Sequence, residues 1–158
     1  MYAAGAGVPS RTTMHNLGHV THKGIELSVE ARLNRYLAAN ANYSWQARPD
    51  TAQDNIWALN RPPAHRFNAG LSVDCQRYLG SVSVGYVDSA YWNDVLDVMY
   101  SGPTAAYTVV NATGGVQFAG GKYLAMLKVT NLANRPIQNH VWGDILKRQV
   151  SGELRVRF

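Results

Sequence analysis

The chain has 158 residues, 46% of them hydrophobic and 16% charged, a length and balance that suit one domain with a real core and argue against disorder. A single cysteine, Cys75, excludes an internal disulfide and any Cys-based zinc cluster. Fifteen Lys and Arg against ten Asp and Glu give +5, but the cations are scattered singly, so no nucleic-acid footprint or nucleic-acid partner is expected.

The opening MYAAGAGVPSRTT has neither a basic start nor a long apolar stretch, and no signal peptide is expected there. His15, His19 and His22 follow at spacings of four and three, which on a helix would make a metal-ligand face. The segment instead reads as loop running into strand, which scatters the rings, so no metal site is expected. From residue 24 the period is two, the strand period. In GIELSVEARL, Ile25, Leu27, Val29, Ala31 and Leu33 oppose Glu26, Ser28, Glu30 and Arg32. A short link at Asn34-Arg35 leads to YLAANANYSWQA, with Leu37, Ala39, Ala41, Tyr43 and Trp45 on one side.

After a long link at 48–64, HRFNAGLSVDC sets Phe67, Ala69, Leu71, Val73 and Cys75 against Arg66, Asn68, Gly70, Ser72 and Asp74. Gln76-Arg77 is a short link, and SVSVGY sets Val82, Val84 and Tyr86 against Ser81, Ser83 and Gly85. The link at 88–106 is long, and the uncharged stretch from Val98 to Gly121 is too polar for a membrane helix. TVVNATGGVQF alternates again and turns at Ala119-Gly120-Gly121. KYLAMLKVTN is less regular, the link 133–149 is long, and VSGELRVRF closes the chain with Val150, Leu154, Val156 and Phe158 on one face.

Seven strands joined by links that alternate short and long make an antiparallel meander with tight turns at one end and large loops at the other. Outer-membrane barrels show that asymmetry. A soluble barrel would turn the apolar face inward, whereas a membrane barrel turns it to lipid and keeps the polar face in a hydrated lumen. The polar face mixes Asn, Gln, Ser, Thr, Gly and both charge signs. Aromatic residues collect at the strand ends: Tyr43, Trp45, Phe67 and Tyr86 at the long-loop end, Phe118, Tyr123 and Phe158 at the other. That distribution favours the bilayer. A ten-residue strand is roughly 34 Å long and, tilted by about 40°, crosses about 26 Å, the height of an apolar band. Burial of Ile25, Val29, Leu71, Val84, Val116 and Leu154 would discriminate the two barrels.

The terminal Phe158, with apolar residues two, four and eight positions before it, resembles the signature that the barrel assembly machinery reads in outer-membrane proteins. NLGHVTHKGIELSVEARL, LNRPPAHRFNAGLSV, TAAYTVVNATGGVQF, LKVTNLANRPI and VSGELRVRF, in that order, resemble the C-terminal barrel portion of TonB-dependent outer-membrane receptors. Arg135-Pro136 after NLAN departs from the commoner acidic or Lys-Tyr continuation.

The resemblance implies an all-β fold, a run of about seven transmembrane strands within a barrel of 22 around a plug. It implies the outer membrane of a Gram-negative bacterium. It implies active uptake of a nutrient ligand, such as an iron-siderophore complex, driven through TonB. Residues 1–158 are then the C-terminal segment of such a barrel, without the plug, the TonB-contacting box or the earlier strands. Its partners would be outer-membrane lipid, the assembly machinery, and the rest of the barrel with its plug. TonB would act only through the missing N-terminal part. With Phe158 at the periplasmic rim, the links 48–64, 88–106 and 133–149 are extracellular and the turns at Asn34, Gln76 and Gly120 periplasmic.

The long loops supply the candidate ligand contacts: Trp57 and Arg61 in the first, Asp88, Tyr91, Trp92, Asp94, Asp97 and Tyr100 in the second, His140 and Trp142 in the third. The polar wall is Glu26, Glu30, Arg32, Arg66, Asp74, Lys128, Glu153, Arg155 and Arg157, expected to form ion pairs with neighbouring strands or with a plug rather than to do acid–base chemistry. Cys75 reads as a small apolar residue, and Tyr107, Thr108 and Asn131 as structural. No phosphate loop, nucleophile elbow or kinase-type set is present, so neither an enzyme nor a cofactor is expected. Two rivals remain: a small self-contained outer-membrane barrel with a structural or adhesive role, and a soluble ligand-binding barrel.

Overall fold

In the computed structural model the described residues are 21–48, 60–93 and 98–157. His15, His19, Trp57, Asp94, Asp97 and Phe158 lie outside them. Seven long strands form one sheet: β1 (Gly24–Arg32), β2 (Leu37–Gln46), β3 (His65–Cys75), β4 (Tyr78–Val87), β7 (Tyr107–Phe118), β8 (Tyr123–Thr130) and β9 (Gln149–Val156). They pair in the order β1-β2-β3-β4-β7-β8-β9, every neighbour antiparallel. Between β4 and β7 a separate two-stranded sheet joins β5 (Ala90–Trp92) to β6 (Gly102–Thr104), with one 3-10 turn at Val98–Tyr100.

The register turns sequence alternation into two continuous faces. Ala31, Ala39, Leu71, Val82, Ala112, Val129 and Val150 stand opposite one another across all seven strands. One step along, Arg32, Ala38, Ser72, Ser81, Thr113, Lys128 and Ser151 do the same. Because side chains alternate with period two, the first row lies on the apolar face and the second on the polar face. Two close approaches depend on glycine. A Cβ on Gly24 would stand 2.7 Å from the carbonyl oxygen of Trp45, and one on Gly70 would stand 2.6 Å from Oδ1 of Asn40, whose side chain leans across the polar face.

Among the described residues the apolar face has no partner. Ile25 is 55% exposed, Leu154 is 66% exposed, Val29 and Leu71 are exposed, and Val84 and Val116 are half-buried. Among the described residues the buried hydrophobic side chains are Ala90 and Ile137, and both belong to the loops rather than to the seven-stranded sheet. A soluble barrel closing these side chains around a dry interior is therefore not what the described residues form. Nor does the sheet close: β1 and β9 are its two edges.

The short links are hairpin turns with clear local causes. Asn34 Oδ1 accepts hydrogen bonds from the backbone N–H of Tyr36 at 2.8 Å and of Leu37 at 2.9 Å, fixing the first turn. Gln76 takes φ 55° in the two-residue turn between the paired Cys75 and Tyr78. Ala119, Gly120 and Gly121 have φ 53°, 66° and 86°, a left-handed run that glycine makes accessible.

Three places depart from the alternation. β4 begins at Tyr78, not Ser81, because Leu79 places an apolar residue on the polar face and masks the period. Leu124 and Met126 do the same in β8, and Met126 pairs with Gly115 on that face. The link at 88–106, expected as a plain loop, contains the β5–β6 pair; strands of three residues, one of them carrying Pro103, are too short to show a period.

Candidate functional site: the loop cluster and the polar wall

At the long-link end of the sheet, three loops converge. Arg61 and Tyr91 exchange backbone hydrogen bonds, N–H to carbonyl, at 2.8 and 2.9 Å. The Arg61 guanidinium lies 4.6 Å from the centre of the Tyr91 ring. Asn60 Oδ1 accepts the backbone N–H of Asn93 at 2.7 Å. These contacts tie the link 48–64 to the link 88–106.

The link 88–106 is tied in turn to 133–149. The Trp92 and His140 rings lie 4.4 Å apart, and the Tyr100 and Trp142 rings meet edge-on at 4.7 Å. Trp92 Nε1 donates to Oγ1 of the buried Thr104 at 3.3 Å, which fixes the indole. His140 Nδ1 accepts the backbone N–H of Trp142 at 3.2 Å, which sets which imidazole nitrogen is free. Arg61, Tyr91, Trp92, His140 and Trp142, far apart in sequence, thus form one connected patch. Asp88 borders it, its Oδ1 accepting the backbone N–H of Ser89 at 2.8 Å and the Tyr86 hydroxyl at 3.5 Å.

An open cleft of about 170 Å³ opens at this patch, lined by Arg48, Arg61, Asp88, Tyr91 and Pro103 among others. Two guanidinium groups, one carboxylate and a ring face are a suitable set for gripping a multidentate polar ligand, because Arg supplies planar fork donors and the ring a stacking surface.

The third loop is held from below by a motif whose reason is visible only in three dimensions. Asn131 is 2% exposed and has φ 54°. Its backbone N–H donates to Asn111 Oδ1 at 3.1 Å, its Nδ2 donates to the Arg135 carbonyl at 2.6 Å, and its Oδ1 accepts the Arg135 N–H at 3.2 Å. Asn134, with φ 52°, accepts the Arg148 N–H on Oδ1 at 3.0 Å, closing the loop onto β9. Ile137 and Leu146 bridge within it. Asn131 reads as structural in the sequence, and the left-handed backbone together with these bonds explains how. The departure at Arg135-Pro136 does not disturb the knot, since Arg135 enters it through its backbone.

On the polar wall, Glu153 is the hub. Lys128 Nζ lies 3.1 Å from Glu153 Oε2, and Arg155 Nη2 lies 2.8 Å from Glu153 Oε1. Among the described residues those are the ion pairs of the wall; Glu26, Glu30, Arg32, Arg66, Asp74 and Arg157 stand on it or at its rim with exposed side chains. Neutral groups do much of the rest. Asn68 Nδ2 donates to Asn42 Oδ1 at 2.9 Å, one step along from the Asn40–Gly70 contact. His22 Nδ1 accepts from Gln46 Nε2 at 2.9 Å, and no group of three or more metal-type side chains occurs among the described residues.

Reading the sequence alone missed the Tyr43–His65 pair: the hydroxyl meets Nδ1 at 2.8 Å and the rings stack at 6.1 Å. The signal was available, since Trp45 lies opposite His65 once the β2–β3 register is fixed. The family model described as "TonB dependent receptor-like, beta-barrel" matches residues 2–132. No curated protein and no solved structure matches the chain.

Proposed function

The chain belongs to the TonB-dependent receptor-like β-barrel family, a family of transport receptors, and on that premise we propose that it is a segment of an outer-membrane receptor for energised uptake of a nutrient ligand such as an iron-siderophore complex. The observation that carries the reading is the unbroken apolar row from Ala31 to Val150, exposed or half-buried on every one of seven strands, with no core behind it among the described residues. In water such a face is an aggregation hazard; against hydrocarbon it is the favourable solvent contact. The open edges of β1 and β9 support further barrel strands on both sides, because unpaired backbone groups cannot stay exposed in a bilayer.

In this reading the convergent loops face outward and meet the ligand through Arg61, Asp88, Tyr91, Trp92, His140 and Trp142. Trp57, Asp94 and Asp97, in the same links, are proposed contacts on sequence position alone. The polar wall, from Glu26, Glu30 and Arg32 to Glu153, Arg155 and Arg157, faces the lumen and the plug. Phe158 is the proposed assembly signal. TonB acts through a part of the receptor outside this sequence.

Cysteine labelling tests the arrangement. In a Cys75→Ser background, a membrane-impermeant maleimide applied to intact cells should label Asp144→Cys and spare Gly120→Cys; the reverse pattern, or equal labelling, would overturn it. Ferric hydroxamates, ferric catecholates and cobalamin, titrated separately against tryptophan fluorescence, sort the ligand classes.

A further inference from the structure

At each short turn a basic residue precedes a tyrosine: Arg35-Tyr36, Arg77-Tyr78 and Lys122-Tyr123, every one followed by Leu. In each the cation rests on its neighbour's ring, at 4.5, 5.7 and 5.8 Å from the centroid. The meander brings all three turns to one end of the sheet, and Arg157 joins them there, its N–H donating to the Lys122 carbonyl at 2.9 Å. The turns contain no acidic residue, whereas Asp50, Asp54, Asp88, Asp94, Asp97 and Asp144 all fall in the long links of the sequence, and the two of them that are described, Asp88 and Asp144, stand at the other end. The nearest acid, Asp74, lies on the polar face.

We propose that this rim is a docking surface for the headgroups of anionic phospholipids, with Arg35, Arg77 and Lys122 as the phosphate contacts. The inference rests on the membrane reading above. Exposed cations at the edge of an apolar face sit at headgroup depth, where each attracts a negatively charged leaflet. A tyrosine beside each cation supplies an amphipathic ring for the same boundary. Stacking on it limits the freedom of the long basic side chain while leaving its remaining N–H groups to a phosphate.

The test uses the full chain diluted from urea onto vesicles of phosphatidylcholine, with or without phosphatidylglycerol. Flotation reads binding and protease protection reads insertion. Three cations at about 1 kcal/mol each correspond to a preference for the anionic vesicles on the order of a hundredfold at low salt. Arg35→Gln/Arg77→Gln/Lys122→Gln should lose most of that preference. Arg35→Lys/Arg77→Lys/Lys122→Arg should keep it, as should Arg135→Gln/Lys147→Gln/Arg148→Gln, which removes equal charge from the opposite end. Inorganic phosphate should compete no better than chloride at matched ionic strength. Equal insertion into both vesicles, or equal loss in the two glutamine triples, overturns the headgroup site while leaving the membrane reading standing. Failure to float with either vesicle, the apolar face then having no affinity for lipid, overturns both.

Discussion

The seven-stranded wall and the loop cluster above it are stabilised by opposite means. The wall has its strands paired neighbour to neighbour from β1 to β9 and, among the described residues, no side-chain interior: its hydrophobic residues are exposed or half-buried. The cluster has little regular structure, yet it holds the buried side chains Ala90, Thr104, Asn131 and Ile137 and the ring contacts Trp92–His140 and Tyr100–Trp142. The wall relies on its surroundings for apolar contact, and the cluster carries its own. The second kind of structure suits a ligand site that must hold a shape in water, and the first suits the lipid contact proposed above.

The sharpest way to break that comparison is to charge the apolar face, which the proposed reading sets against lipid. Val82→Arg, in the middle of β4, should destabilise vesicle-folded protein by about 2–4 kcal/mol, measured by urea titration in lipid. Ser81→Arg, its neighbour on the polar face, should stay within roughly 0.5 kcal/mol of the parent. Equal effects at the two positions would mean that the faces are not solvated differently.

Next in size is the knot beneath the third loop. Asn131→Ala removes the two side-chain hydrogen bonds to the Arg135 backbone at a buried position and should cost about 2 kcal/mol. The loss should be local: amide exchange at 133–148 should accelerate while β1 to β4 keep their protection. Uniform loss of protection would show that wall and cluster are one cooperative unit.

A smaller effect is expected at Thr104→Val, which takes the acceptor from the Trp92 indole at a cost of about 1 kcal/mol. The Trp92 emission should shift, and ligand titrations should weaken without any change in insertion. Smallest is Glu153→Gln. Its partners are exposed, so folding stability should not change measurably, and any effect should vanish in high salt.

The wall was largely legible from the sequence because each strand repeats one instruction, apolar then polar, and register follows from it. Legibility failed where an apolar residue sits on the polar side, as Leu79 does, or where pairing is too brief for a period, as in Ala90–Trp92. The candidate loop residues could be named by type, but Trp92 against His140 is a meeting of two links with no shared pattern, so only the folded chain brings them together. The basic–tyrosine pairs were in plain view, yet acquire a meaning only once three turns occupy one rim.

The seven-strand register has an evolutionary corollary. Deleting one residue within β3 would send Leu71 to the watery side and Ser72 to the oily one, along with every residue beyond the lesion. Strand lengths in such a gene can therefore drift only in steps of two, while the links between Gln46 and His65 or Thr130 and Gln149 are free to gain or lose codons singly. In the proposed reading, diversification of the ligand is thereby channelled into the segments proposed to contact it.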